Sequence, residues 1–429
     1  MPARWQLRAK SGYLVEKDLD KTSALHSLRR FYIFRGDDMF FMACILFCLT
    51  LPFLNRYHNW SVGLMGWAWL WDGSLKSRLE RFRTDRTWVW IFLFYLTCVV
   101  SVLYSEDKIM ATDKIEAKLA MVLLPFMIFS SSLTSERISK LLAIYVWMIF
   151  VVSLLCIEWA FRQFLITGET YQFFYHNLTA PLKLHAIYFA NFLAFAILIV
   201  LFNHEFAHFK KWRFALIGFF LLIIVMLSGL AVMGYLVCLG VTLGGFLLRR
   251  KYSVAKTAVI VLSSITLLVA ITFATPYTRH KIAKSMDLSY NMDDRDTLWN
   301  TVTIRLAKWT CAAKVIKENP VAGVGIGDAQ AELMKSYEYY DFKEGLRNEY
   351  NEHNQYLATL VATGAIGFIF FMGMLLAPVW KAVQTRDYLL FAFMALMTFT
   401  FFTENFLTPL KGVMFFAFFY AILLKKRCQ

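Results

Sequence analysis

The chain has 429 residues, of which 59% are hydrophobic and 17% charged, with 41 Phe and 13 Trp. A soluble domain is about half apolar and a quarter charged, so this composition excludes an ordinary water-soluble globule. The net charge of +15 does not point to nucleic acid, because most Lys and Arg stand in short clusters between apolar runs, as membrane topology requires.

Residues 1–36 are polar and basic, too long for the n-region of a cleavable signal, so the first span is expected to stay in the mature protein. Apolar runs long enough, or nearly so, to cross a bilayer follow at 39–54, 87–104, 117–130, 141–161, 186–202, 214–227, 231–248, 258–275, 357–379, 388–402 and 412–424. The segment 60–71 is a twelfth, shorter than the roughly 17 residues usually needed, and it either tilts, thins the bilayer or re-enters. A Ser228-Gly229 break divides what would otherwise be one overlong run from Phe214 to Leu248.

With the N-terminus inside and twelve crossings, 27 basic residues fall in the inside segments and 7 in the short outside loops. The excess alternates loop by loop, which a wrong span count would scramble. The predicted architecture is an all-α polytopic membrane protein with both termini inside. It divides into a cytoplasmic tail (1–36), a bundle of about nine spans (37–275), a large outside loop (276–356), and a final three spans with a short cytoplasmic end (357–429).

Loops of about 80 residues are uncommon and usually functional or disordered. This one, Pro276 to Tyr356, reads as folded. Leu298, Val302, Leu306, Trp309, Ala313 and Ile316 repeat at helical spacing between Asp294 and Asn319. Asn319-Pro320 ends that helix, the Gly323-Val-Gly325-Ile-Gly327 turn follows, and a second helix starts near Asp328 and runs through Met334. Of the seven cysteines only Cys311 lies in the loop, so no disulfide framework is implied.

The candidate base is His353, in Asn351-Glu352-His353-Asn354-Gln355-Tyr356-Leu357, at the outer interface ahead of a span containing Gly364 and Gly367. Imidazole titrates near neutral pH and can take a proton from a hydroxyl; the plainer reading is an interfacial histidine satisfied by its neighbours. The loop helix carries Arg295, Arg305, Lys308 and Lys314. Arg305 and Lys308 are three apart and share a face that suits a diphosphate, or form a solvated basic face. The glycine turn lacks a preceding strand and a following Lys-Ser/Thr, so it is no nucleotide loop; the glycines allow a tight turn or a close backbone approach. Glu404 is read either as orienting the base, as a sugar-hydroxyl ligand, or as a carboxylate facing water, with Asn405 beside it. Glu106, Asp107 and Asp113 stand in another outside loop. His176, His185 and Tyr188 suit sugar binding or an aromatic belt. No metal motif is present, and metal-free chemistry with no cofactor is expected.

Taken in order, Arg305-Leu-Ala-Lys-Trp309, Asn319-Pro320-Val-Ala-Gly323-Val-Gly325-Ile-Gly327, His353-Asn354-Gln-Tyr356-Leu357 and Gly364-Ala-Ile-Gly367 resemble the O-antigen ligase and polymerase superfamily. The motifs cover about Ile304 to Gly367, and the topology agrees over nearly the whole chain. The resemblance implies a bacterial inner-membrane glycosyltransferase whose site faces the periplasm. It implies transfer of a glycan from undecaprenyl diphosphate to an acceptor hydroxyl, on lipid A-core for a ligase or on a lipid-linked repeat for a polymerase, without metal. It places the base role on His353 and the donor-diphosphate contact on Arg305, with Lys308 beside it. Asn354, Tyr356, Glu404 and His185 are expected to support the site or bind acceptor. Many members carry a Ser-Arg pair within a middle span. Here the comparable stretch reads Leu227-Ser228-Gly229-Leu230-Ala231, leaving Lys183 or Arg279 as substitutes. The absence of a large extra domain argues against the protein-modifying branch. A lipid-linked sugar transporter is the non-enzymatic alternative, disfavoured because the spans are almost purely apolar.

Overall fold

The computed structural model describes residues 36–53, 55–82, 86–206, 210–227, 230–249 and 299–426, with short pieces between 253 and 266. The basic tail, Arg279, Arg295, the Ser228-Gly229 break and most of the run 258–275 lie outside the described residues. All described secondary structure is helical.

The main helices, numbered in chain order, are α1 (Gly36–Thr50), α2 (Asn55–Leu70), α3 (Leu75–Phe82), α4 (Trp88–Tyr104), α5 (Lys108–Lys118), α6 (Ala120–Ser130), α7 (Ser135–Thr167), α8 (Ala186–Phe202), α9 (Lys210–Met226) and α10 (Leu230–Arg249). After them come α11 (Thr301–Glu318), α12 (Ala329–Tyr339), α13 (Gln355–Thr385), α14 (Tyr388–Thr403) and α15 (Leu410–Lys425). Eleven of the twelve apolar segments thus fall on helices. Among the described residues only α7, at 33 residues, and α13, at 31, are long and apolar enough to cross a bilayer unaided. Most of the other apolar helices have 15 to 17 residues, about 25 Å of rise against a hydrocarbon core of about 30 Å. The composition and these helices together describe a membrane protein; twelve separate crossings are not established by helix length.

The bundle is built around α8 and α15, whose residues are buried on every side except at Phe202 and Leu410. A helix apolar all round has no solvent face to present. Its partners are aromatic: Phe195 of α8 lies against Tyr145, Phe393, Phe415 and Phe419 at centroid separations of 4.7–5.7 Å, within the range of favourable edge and tilted ring contacts.

The predicted loops sort to two ends. At one end Asp328 accepts from the backbone N–H groups of Glu106 and Asp107, the Lys118 ammonium donates to the Leu407 carbonyl, and Tyr188 stacks on Phe406. At the other, Arg137 pairs with Asp38, Ser135 donates to the Lys426 carbonyl, and the Lys425 ammonium donates to the Ser131 carbonyl. Among the described residues, the segments expected outside that make these contacts share one end, and those expected inside that make them share the other.

The loop helix α11 begins at Thr301; residues 294–298, where the predicted apolar spacing starts, lie outside the described residues. Asn300 fixes the start: its side chain accepts from Val302 and Thr303 N–H while Thr303 answers with the Asn300 N–H, a reciprocal cap. The second helix, α12, reaches Tyr339, beyond the predicted Met334.

The turn after α11 enters a break in α13. Gly364 has φ 57° and ψ −159° in the middle of that helix, a conformation open almost only to glycine. The break removes the helical bonds from residues 365 and 366 back to the carbonyls of 361 and 362. Residues 320–325 supply every missing partner. Val324 and Gly325 N–H donate to the Val361 and Ala362 carbonyls at 2.9 and 3.0 Å, and Ala365 and Ile366 N–H donate to the Pro320 and Val321 carbonyls at 2.9 and 3.2 Å. Irregular backbone at membrane depth is tolerated only when its polar groups are satisfied in this way. The close-approach reading of the glycines is therefore what the chain does.

Candidate active site

Residues 351–355 and 404–407 run side by side where α13 begins and α14 ends. Asn354 N–H donates to Asn405 Oδ1 at 2.7 Å, Asn405 Nδ2 donates to Glu352 Oε2 at 2.7 Å, and Leu407 N–H donates to Gln355 Oε1 at 2.9 Å. Asn354 also caps α13 by accepting from Tyr356 and Leu357 N–H, which satisfies donors that every helix start leaves open.

These bonds hold His353 in the left-handed region, at φ 46°. That conformation is uncommon for a residue with a Cβ and accumulates at functional sites; Asn351 Oδ1 secures it by accepting the His353 N–H at 3.0 Å. The imidazole Nδ1 lies 3.0 Å from Glu404 Oε2, and the other carboxylate oxygen, Oε1, lies 3.5 Å from Arg305 Nη2. An ionised carboxylate accepts only, so Nδ1 is the donor in this pair, and in the neutral tautomer that fits it the lone pair is on Nε2. One carboxylate thus orients an imidazole and holds a guanidinium, and its burial removes the water that would weaken both contacts.

Burial pushes the Glu404 carboxyl upward, but the His353 hydrogen bond and the positive charges of His353 and Arg305 outweigh it, and the net shift is below the usual range. Glu404 is therefore not the water-facing group that was the plainer reading of its position: it is 7% exposed. Neither is Lys308 part of a solvated face. It is 2% exposed, its ammonium sits 4.9 Å from the centre of the Tyr350 ring, and burial together with Arg305 brings it down to about 7. A cation over an aromatic face recovers part of the lost hydration.

The structure brings together His353, Arg305, Lys308, Asn354 and Glu404. His185 stands near enough for its charge to act on the Glu404 carboxyl, while its Nδ1 accepts the Ile187 N–H at the start of α8 and its ring packs on His176. Tyr356 turns inward, with its hydroxyl donating to the Thr398 carbonyl at 2.9 Å, so it braces α13 against α14. The sequence reading missed the parts of Glu352 and Asn405. The available signal was the pair of short polar runs, Asn-Glu-His-Asn and Glu-Asn, each at the end of an apolar span. Among the described residues no three His, Cys, Asp or Glu side chains gather as a metal site.

The His353–Glu404–Arg305 cluster thus lies between the docked loop and the ends of two apolar helices, α13 and α14. Residues 214–372 match the O-antigen ligase family model. The match covers 159 of the 429 residues; over this segment the chain is similar to the O-antigen ligase family, which supports a surface-polysaccharide enzyme of the ligase or polymerase type. The match spans α9, α10, the loop and the first half of α13, and ends before Glu404. An uncharacterized protein of Haemophilus influenzae is 25% identical over 352 residues, covering 80% of this chain and 84% of that one.

Proposed function

We propose that the protein is an O-antigen ligase-like glycosyltransferase of the bacterial inner membrane. Its donor is a glycan on undecaprenyl diphosphate, its acceptor a sugar hydroxyl of lipid A-core, and its site faces the periplasm. The observation that carries this reading is the Glu404 carboxylate shared between His353 Nδ1 and Arg305.

In the proposed reaction His353 Nε2 takes the acceptor hydroxyl proton as the oxygen attacks the anomeric carbon. The bond from that carbon to the diphosphate oxygen breaks, and its electron pair leaves with undecaprenyl diphosphate. Glu404 stabilises the imidazolium formed, as a buried carboxylate does behind a catalytic histidine. Arg305 has five N–H donors and gives one to Glu404, which leaves others for the diphosphate. Lys308 lies three residues along the same helix and adds a second positive charge when the donor arrives. Diphosphate is already a good leaving group, so one base and cationic stabilisation suffice without metal.

The lipid end also has a place. A largely apolar cavity of about 590 Å³ between α10, α13 and α14 runs from Arg386, Asp387 and Tyr388, at the end of α14 away from Glu404, up to Gly234 and Phe399, the last of these five residues before Glu404. We assign the donor's polyprenyl chain to this cavity on the strength of its apolar wall.

The test is transfer by detergent-solubilised protein from a defined undecaprenyl-linked glycan, with and without chelator. His353→Ala should insert normally and lose transfer; normal transfer by a well-expressed variant removes the base role. Retained activity without a sealed membrane separates the enzyme from a transporter. In cells, loss of a ligase leaves bare core on a lipopolysaccharide gel, whereas loss of a polymerase leaves core bearing a single repeat.

A further inference from the structure

A second cavity, of about 210 Å³, lies between α4, α5, the turn ahead of α12 and the start of α13. Lys114 and Lys118 reach it from α5, Asn351, Glu352 and Gln355 from the strip that carries His353, and Phe94 forms part of its apolar wall. None of its lining residues comes from α11, the helix of Arg305 and Lys308. The cavity and that cationic helix therefore reach the strip of residues 351–355 through separate elements.

Its polar groups hold hydrogen-bonding capacity in reserve. Lys114 Nζ donates to the Ile326 carbonyl at 3.0 Å and Lys118 Nζ to the Leu407 carbonyl, while an ammonium has three N–H groups. Glu352 Oε2 accepts from Asn405, and a carboxylate has several further acceptor positions. The signs are mixed. A simple anion would face Glu352, and a simple cation would face two ammoniums. A neutral polyol satisfies both, accepting from the lysines and donating to the carboxylate, with its C–H face on the apolar wall.

We propose that this cavity binds a pyranose unit of the acceptor glycan, next to the unit whose hydroxyl meets His353. The assignment to the acceptor rests on the reading of His353 as the base; the sugar chemistry rests on the cavity alone. Burial raises the Glu352 carboxyl and lowers the Lys114 amine, so the cavity resists added charge of either sign, as suits an uncharged ligand.

The test uses the full-length protein in detergent and mass-spectrometric acetylation of Lys114 by an amine-reactive ester. Delipidated core oligosaccharide should protect Lys114, while inorganic phosphate and undecaprenyl phosphate should not. Protection by phosphate but not by oligosaccharide, or by neither, overturns the proposal. In parallel, Ala358→Leu, which narrows the cavity, should raise the acceptor KM about tenfold or more, at least 1.4 kcal/mol, and leave the donor KM unchanged. An unaltered acceptor KM in a folded Ala358→Leu protein also overturns it. If that variant fails to fold, the protection experiment on the native chain decides. Protection of Lys114 alongside an active His353→Ala variant would keep the sugar site and sink only the base role.

Discussion

Gly323 and Gly364 meet backbone to backbone: a Cβ on either would lie within 2.7 Å of the other's amide nitrogen. The first has φ 68° and the second φ 57°, so neither tolerates a side chain on grounds of space or of conformation. Gly364→Ala should cost about 3 kcal/mol or more, combining a glycine-only backbone with buried polar groups pushed off their partners. Fluorescence-detected size exclusion of the solubilised variant should show loss of the folded peak or a strongly lowered melting temperature. A native profile would mean the turn is not seated in the break of α13.

Glu404→Gln tests the carboxylate without changing its size. An amide neither stabilises the imidazolium nor fixes the Nδ1 proton, so kcat should fall by about 10²- to 10⁴-fold. The melting temperature should move little. Steady-state transfer measured across pH is the readout, and a kcat within a few-fold of the native value would exclude an orienting role.

Asn405→Ala removes the side chain that bonds twice between the two strips and leaves the Gln355–Leu407 and His353–Glu404 bonds. It leaves the buried Asn354 N–H and Glu352 carboxylate without their partner, each worth about 1–3 kcal/mol. The variant should melt earlier and lose activity together, whereas Glu404→Gln separates the two. Equal melting curves would show that the strips are held by other contacts.

Lys308 gives a pH prediction with a definite sign. Its folded value, about 7, lies below the ordinary lysine range, so folding penalises the protonated form. The penalty is complete below about pH 7 and fades as pH rises toward the unfolded value. Lys308→Met should therefore raise the melting temperature most near pH 6 and progressively less toward pH 9. Donor binding supplies negative charge and draws a proton onto Lys308, so the native donor KM should climb above about pH 7. The variant should lose that slope. A pH-independent difference in melting temperature would remove the buried-ammonium account.

The local parts of this site were legible in the sequence because local chemistry makes them. Asn319-Pro320 stops α11, the glycines permit close approach, and His353 stands alone in a polar run before an apolar span. What was not legible is pairing over distance. Glu404 meets His353 across 51 residues and Asp328 meets Asp107 across 221, and nothing in either neighbourhood encodes its partner. The break at Gly364 was hidden too. In composition α13 is one apolar run, and only the four bonds from residues 320–325 reveal two helices end to end. Burial was equally silent. Arg305 and Lys308 sit on the predicted face, but that face is turned into protein.

The fastening of the loop through main-chain groups at the α13 break has a consequence for how this scaffold diversifies. Amide and carbonyl groups are the same whatever residue carries them, so most side chains around the turn can be exchanged without unlatching the catalytic strip. In the proposed enzyme, saccharide recognition can drift in the loop while the latch stays put, provided glycine is retained at 323 and 364, which meet each other, and at 325 and 327, where a Cβ would strike Ser105 and the Asp107 carbonyl.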